Sequence, residues 1–350
     1  MDHRIAIVGA GAVGSYVGGY LARDGRDVVL VDPWPEHVAT MNARGLRLSG
    51  MSNAECFETP VRAIDLSAVQ GLSRERPFDI VLVCMKSYDT AWAARLLLDH
   101  MAPNGFVVSL QNCINEPVVA EAVGWGRTVG CIAAKISVEL TGPGEVKRGV
   151  AKTNDGVAVF RVGEVHGRET PRVRAVAEML ASVDGAKVTT NLWGERWTKL
   201  VANAMKNGVC AASGMTANAC DREPVTRWLS IRLAGEAVRV GLAQGYAVEK
   251  VEGYEPAEWM AALDGDAGMR ARIEESMLAS TAKRSEAFIP SMAQDVNKGR
   301  RTEIEHMNGL VVRLGRESGI ECPANAGLMA AVRSIERGEA RPALDLLRGV

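Results

Sequence analysis

An open, mainly parallel α/β sheet followed by an all-helical domain is what the sequence predicts. Three observations carry that expectation. A strand, glycine turn, helix and second strand fill the first 32 residues; buried-type strands then alternate with helices to about residue 190; and helical patterns dominate from Leu192 onward. Neighbouring parallel strands need a crossover, usually a helix, so regular β/α alternation indicates an open, doubly wound sheet.

The stretch "RIAIVGAGAVGSYVGGYLARDGRDVVLVD" opens that sheet. Its run Ile5 to Val8 is short and continuously apolar, as expected of a parallel strand covered on both faces. "FDIVLVCM" (Phe78–Met85) and "GFVVSL" (Gly105–Leu110) read as further buried strands, with the helical "DTAWAARLLLDHM" between them and "EPVVAEAV" after the second. The strand-like "TVGCIAAKIS" and "GVAVFRVGE" follow, then the helix "TPRVRAVAEMLASV" and a short strand near "AKVTT". Helices broken by "GYEPAEW", "DGDAG", "AFIP" and "NKGRR" make up the rest. The boundary is expected at 192/193, with residues 1–192 as a nucleotide-binding domain and 193–350 as a helical catalytic domain. Val251–Arg284, the most polar long stretch of the second half, is open to three readings: a helical insertion, a lid or a subunit contact.

A chain of 350 residues accommodates two cores. Its net charge of −1, with 24% charged residues, leaves no electrostatic footprint for nucleic acid. The seven cysteines form no C-x-x-C pair, and their odd number argues against a disulfide framework. The histidines form no H-x-x-x-H, so no metal site is expected. No apolar run approaches the roughly 18 residues of a membrane span, and a first strand near Arg4 leaves no room for a signal peptide. The expectation is a cytoplasmic protein with a small-molecule substrate.

Gly9, Ala10, Gly11, Ala12, Val13 and Gly14 form G-x-G-x-x-G directly after one strand and before a helix. The first glycine permits the turn, the second lets a pyrophosphate approach the backbone, and the third lets helix and strand pack closely. The helix N-terminus adds partial positive charge for the phosphates. Asp32, 18 residues after Gly14, ends the next strand. A carboxylate there accepts from the adenosine ribose hydroxyls and repels a 2′-phosphate, and "PWPEH" after it offers no Arg or Lys for that phosphate. NAD is therefore expected over NADP.

In "WGERWTKLVANAMKNGVCAASG" (Trp193–Gly214), Lys199, Asn203 and Asn207 recur every fourth residue among Trp197, Leu200, Val201, Ala204 and Met205. Steps of four advance a helix by only about 40°, so the three polar side chains are expected to share one stripe.

These motifs, in this order, resemble the ketopantoate reductase (2-dehydropantoate 2-reductase) superfamily from the glycine turn to about Asn325. They are "GAGAVG", "CMKSYDT" (Cys84–Thr90), "QNCINE" (Gln111–Glu116), "WTKLVANAMKN" (Trp197–Asn207), "SMAQDVNKGRRTEIEHMNG" (Ser291–Gly309) and "GIECPAN" (Gly319–Asn325). The resemblance implies a Rossmann-type first domain, a helical second domain like that of 6-phosphogluconate dehydrogenase, and a substrate cleft between them. It assigns Lys199 as general acid, donating a proton to a carbonyl oxygen while hydride arrives from NAD(P)H. A lysine in a partly dry cleft can release a proton near neutral pH. By resemblance Asn203 and Asn207 orient Lys199 and substrate, Glu303 contacts both, and Ser291 binds the substrate carboxylate. Asp295 supports the site or forms a structural ion pair, and Lys86 and Asn112 lie near the nicotinamide ribose. Thr302 followed by Glu305 fits a capping box, which would set Glu303 in a first helical turn. A homodimer is also implied.

Several residues depart from the family's pattern. Phe288 stands three residues before Ser291, where an asparagine is usual, and "NGVCAASG" replaces N-P-L-T-A. Cys113 takes a usual glycine position and reads as packing, and the expected NAD preference differs from the usual NADP. Phe288 favours an apolar or aromatic substrate. Three functions remain open: reduction of ketopantoate or a related 2-oxo acid; NAD-dependent oxidation of another secondary alcohol or hydroxy acid with Lys199 as base; and a non-catalytic NAD-binding sensor.

Overall fold

The computed structural model describes residues 3–134, 136–152 and 158–350, and the chain divides into two compact units, Met1–Leu192 and Trp193–Val350. In the first unit the apolar runs become strands β1 (Ile5–Val8) and β2 (Val28–Val31), with every residue buried. Helix α1 (Ala12–Arg23) joins them and α2 (Pro35–Arg44) follows. Three short strands come next, β3 (Leu46–Ser49), β4 (Phe57–Thr59) and β5 (Arg62–Ile64). The chain continues through β6 (Phe78–Val83), α3 (Thr90–Leu96), β7 (Met101–Ser109), α4 (Glu116–Val123) and β8 (Thr128–Ala133). The unit closes with β9 (Val138–Gly142), β10 (Glu145–Arg148), β11 (Phe160–Glu164), α5 (Pro171–Ala181) and β12 (Ala186–Val188). Of the strand expected over "TVGCIAAKIS", Lys135 lies outside the described residues, as do Gly156 and Val157 of "GVAVFRVGE".

The main sheet has the order β12-β11-β8-β7-β6-β1-β2-β5 and is parallel except where β11 runs antiparallel to β8. Ile5 pairs with Val28 on one side and Ile80 on the other, so the winding reverses between β1 and β6. The crevice at such a reversal, outside the carboxyl ends of the strands, is where open α/β sheets bind ligands. A second sheet, β4-β3-β10-β9, is not foreseen from the sequence. Its strands are three to five residues long, and β3 and β10 pair across about a hundred residues of chain. Helix α1 packs on it: a Cβ at Gly19 would meet the Leu48 side chain at 2.7 Å. Beside α1 the buried Arg148 donates to Tyr16 Oη at 2.9 Å and pairs with Asp184 at 2.6 Å.

The second unit is helical. Helix α6 (Leu192–Ala204) leads into it, followed by α7 (Asn207–Ser213), α8 (Ala217–Arg222) and the long α9 (Pro224–Ala243). Then come α10 (Pro256–Leu263), α11 (Ala267–Ser280), α12 (Ser291–Asn297), α13 (Asn308–Glu317) and α14 (Pro323–Glu336). Proline opens α9, α10 and α14, where its missing N–H costs no helical bond. Helix α9 is the axis of the core. Trp197 of α6 donates its indole N–H to Ala237 O at 2.8 Å and packs against Gly241, where any Cβ would overlap the ring. The polar stretch Val251–Arg284 folds as the α10–α11 hairpin. Trp259 is wholly buried in it, and a Cβ at Gly235 of α9 would meet Leu263 at 2.8 Å.

Gly241→Ala is expected to destabilise the protein by about 1–3 kcal/mol through overpacking against Trp197. Gly71→Ala, at a position open for at least 4 Å around a Cβ, should leave the urea midpoint unchanged. Equal midpoints for the two variants would refute the Trp197–Gly241 contact as a packing constraint.

Candidate active site

The glycine turn is shaped by what each added Cβ would meet. Gly9 has φ +97°, a conformation that favours glycine, and a Cβ there would stand 2.9 Å from Met85 N at the end of β6. A Cβ at Gly14 would overlap the Gly9 carbonyl, so α1 can begin against β1 only if residue 14 has no side chain. At Gly11 the same atom would meet nothing within 4 Å. Open space thus faces the first turn of α1, where Ala12 and Val13 present unpaired helix N–H groups. Asp32 follows β2 and is buried; its Oδ1 accepts from Trp34 N at 2.9 Å. Burial pushes its carboxyl up in pKa, against the backbone hydrogen bonds from Trp34 and Ala10.

One residue of this loop had no role in the sequence reading. His37 on α2 is fully buried, its Nδ1 accepts from Gly144 N at 2.9 Å, and its Nε2 stands 2.8 Å from Ala10 O. Because Gly144 can only donate, Nε2 carries the proton and holds the glycine loop by the Ala10 carbonyl. The only sequence signal was "PWPEH" beside Asp32, and it points as readily to a surface turn.

Lys86 and Asn112, both half-buried, follow the carboxyl ends of β6 and β7. The motifs around them tie the two loops together. Gln111 Nε2 donates to Met85 O at 3.0 Å and to Thr90 Oγ1 at 2.8 Å. Asn115 Nδ2 donates to Ser87 Oγ at 3.2 Å and Asn112 O at 2.7 Å, and Thr90 Oγ1 donates to Ser87 O at 2.8 Å. Cys113 has φ +60°, a left-handed conformation that favours glycine.

In the second unit Trp197, Leu200, Val201 and Ala204 are buried, and Lys199 and Asn203 lie half-buried on the other side of α6. The stripe does not continue on one helix as expected. α6 ends at Ala204 and α7 starts at Asn207, because Lys206 N bonds to Asn203 O at 3.1 Å and Lys206 leaves helical geometry with φ −122°. Asn207 is therefore the buried first residue of a new helix. Helix α12 packs against α7 and carries the half-buried Ser291 at its start and the buried Asp295 one turn on. Phe288, half-buried, precedes α12, and its carbonyl accepts from Ala217 N at 3.1 Å.

Glu303 is buried at 4% exposure and begins a 3-10 turn, Ile304–His306, rather than lying inside the first turn of an α-helix. The capping box does not form. Thr302 Oγ1 accepts from Ile304 N at 3.2 Å, and Glu305 pairs instead with Arg333 of α14. The turn touches α7, since a Cβ at Gly208 would lie 3.3 Å from Ile304 Cδ1. Asn207, Ser291, Asp295 and Glu303 therefore all sit on elements gathered around α7.

The open Cβ position at Gly11, the bare helix N-terminus and the buried Asp32 carboxylate fit the pyrophosphate and ribose of a nicotinamide dinucleotide. Among the described residues no cluster could hold a metal ion, and no helix is long and apolar enough to cross a membrane.

A dinucleotide-type sheet followed by a helical unit points to a class, the oxidoreductases that oxidise a CH–OH group or form one from a carbonyl. Comparison with known proteins agrees. The model of the family described as ketopantoate reductase PanE/ApbA matches residues 5–156, and that of its C-terminal domain matches 191–336. The 2-dehydropantoate 2-reductase of Archaeoglobus fulgidus is 30% identical over 337 residues, covering 96% of this chain and 98% of that protein. The crystal structure of a PanE/ApbA family ketopantoate reductase from Ralstonia eutropha JMP134 superposes with a TM-score of 0.76 at 29% identity, over 96% of this chain and 99% of that one. D-mandelate dehydrogenase with NADH and anilino(oxo)acetate shares the fold, with a TM-score of 0.79 at 20% identity over 96% and 98% of the two chains. The chain belongs to the ketopantoate reductase family and is an oxidoreductase of that family.

His306 follows Glu303 closely, and burial lowers its pKa, against the opposing pull of the Glu303 carboxylate. With a folded pKa below the unfolded value of about 6.5, the unfolded state binds more protons in that window, so stability falls as the pH drops. Between about pH 7.5 and about pH 5.5, either side of the unfolded value, the wild type should lose more of its urea midpoint than His306→Asn. Equal losses would contradict the lowered value.

Proposed function

We propose that this chain reduces ketopantoate, or a closely related 2-oxo acid, with NADH as the preferred reductant. The observation that carries the reading is the set of family positions occupied around α6 and α7. Lys199 and Asn203 share the half-buried face of α6, and Glu303 is buried at the turn that touches α7. When bound, the dihydronicotinamide supplies the hydride. Lys199 Nζ delivers the proton to the carbonyl oxygen, so that C=O becomes CH–OH. Asn203 and Asn207 orient the substrate against that ammonium, and Ser291 holds its carboxylate at the start of α12 with Asp295 in support. Glu303, a carboxylate at the turn that touches α7, accepts hydrogen bonds from Lys199 and a substrate hydroxyl. Lys86 and Asn112 serve the nicotinamide ribose end. Asp32 supports NAD over NADP, because a buried carboxylate at the ribose repels an added phosphate.

A second reading concerns the substrate alone. Phe288 puts a ring where related sequences carry an amide, which suits an apolar or aromatic side group and a hydroxy compound oxidised with Lys199 as base.

The test follows near-ultraviolet absorbance with ketopantoate and either NADH or NADPH. Oxidation of NADH should be faster than that of NADPH, and Lys199→Ala should lower kcat by about 10²- to 10⁴-fold, the usual worth of a general acid. Consumption of neither cofactor would reject the reduction, and a higher kcat/KM with NADPH would reject the role of Asp32. Phe288→Asn should shift kcat/KM from aromatic towards small dihydroxy substrates; an unchanged ratio removes the second reading.

A further inference from the structure

The break between α6 and α7 leaves helix carbonyls without their usual amide partners. A chain of buried side chains reaches one of them. Glu236, in the middle of α9, accepts from the backbone N–H groups of Ala324 and Asn325, each at 2.9 Å, and from Asn325 Nδ2 at 2.8 Å. A carboxylate at the start of α14 is favoured by the helix dipole. Asn325 Nδ2 also donates to Leu233 O at 3.3 Å, and because a carbonyl can only accept, Asn325 turns its NH₂ towards Leu233 and Glu236 and its Oδ1 away. That Oδ1 accepts from Asn308 Nδ2 at 2.9 Å. The other hydrogen of the same nitrogen points to the carbonyl of Ala204, the last residue of α6, at 3.1 Å. Each amide therefore has one orientation open to it, fixed by the carbonyl it donates to, Leu233 O for Asn325 and Ala204 O for Asn308.

Asn308 and Asn325 are wholly buried, and Asn308 Oδ1 faces no donor among the described residues. Packing alone does not account for an amide there. A leucine of similar size would fill the same space without an unpaired Oδ1, but it would leave the Ala204 carbonyl and Asn325 Oδ1 without the donor that Asn308 Nδ2 gives them. What the amide provides is a donor for the Ala204 carbonyl, directly after Asn203 and three residues before Asn207.

We propose that Glu236, Asn325 and Asn308 are positioning residues. They pin the end of α6, and so fix where Asn203 and Asn207 stand relative to Lys199. The proposal rests on the reading of those three side chains as the substrate-binding face.

The experiment compares wild type with Asn308→Leu and the milder Asn308→Ser, whose hydroxyl keeps one donor. It records kcat and KM for ketopantoate, the NADH dissociation constant and the melting temperature. A displacement at the reacting groups should lower kcat/KM by about 10- to 100-fold in Asn308→Leu and by less in Asn308→Ser, with NADH affinity within about twofold of wild type. Folded variants whose kcat and KM both stay within about twofold, whatever their melting temperature, would overturn the proposal. Should Asn308→Leu fail to fold, Asn308→Ser decides by the same criterion. A wild type that turns over no 2-oxo acid fails the functional reading separately. The relay is then judged by amide hydrogen exchange over residues 203–208. Exchange about tenfold faster in Asn308→Ser, with the earlier turns of α6 still protected, upholds it, and unchanged exchange overturns it.

Discussion

A side chain at position 14 would collide with the carbonyl oxygen of Gly9, and the geometry of the first unit depends on that closeness. It lets α1 start directly on the end of β1, so the N–H groups of its first turn face the carboxyl edge of the sheet. β6 ends beside the same turn, with Met85 N close to Gly9, because the winding reverses between β1 and β6. Position, dipole and open space thus coincide where Gly11 has nothing within 4 Å of its missing Cβ. His37 holds that loop from the other side through the Ala10 carbonyl.

The helical unit meets a related demand in another way. Helix α6, with Lys199 and Asn203 on its half-buried face, stops at Ala204, and α7 begins with the buried Asn207. The stop leaves backbone carbonyls to satisfy. Here two asparagines link Glu236 of α9 by hydrogen bonds to the last carbonyl of α6. The turn bearing Glu303 and the helix bearing Ser291 both pack on α7, so a short helix of seven residues organises one side of the site.

The β1–α1–β2 unit was legible in the sequence because its signals are local: continuous apolar strands, three glycines at fixed spacing, and an acidic residue at the end of the second strand. The break at Met205–Lys206 was not. The apolar pattern resumes just beyond it with Val209 and Cys210, and Asn308, which meets the Ala204 carbonyl, stands 104 residues away in the chain. The second sheet escaped notice for a similar reason, since strands of three to five residues gain their pairing from distant segments. The capping pattern at Thr302 and Glu305 misled because Arg333, on another helix, takes the glutamate. The motifs around Lys86 and Asn112 were visible, but the work of Gln111, Thr90 and Asn115 as ties between two loops depends on which strands lie side by side.

The central claim is that the chain moves a hydride onto a 2-oxo acid carbonyl while its own residues supply the proton. Reaction of ketopantoate with NADH deuterated at both C4 positions, followed by mass spectrometry of the product, tests it most directly. The account predicts one deuterium in the hydroxy acid, on the carbinol carbon. A product without deuterium, formed while the labelled NADH is consumed, would contradict it.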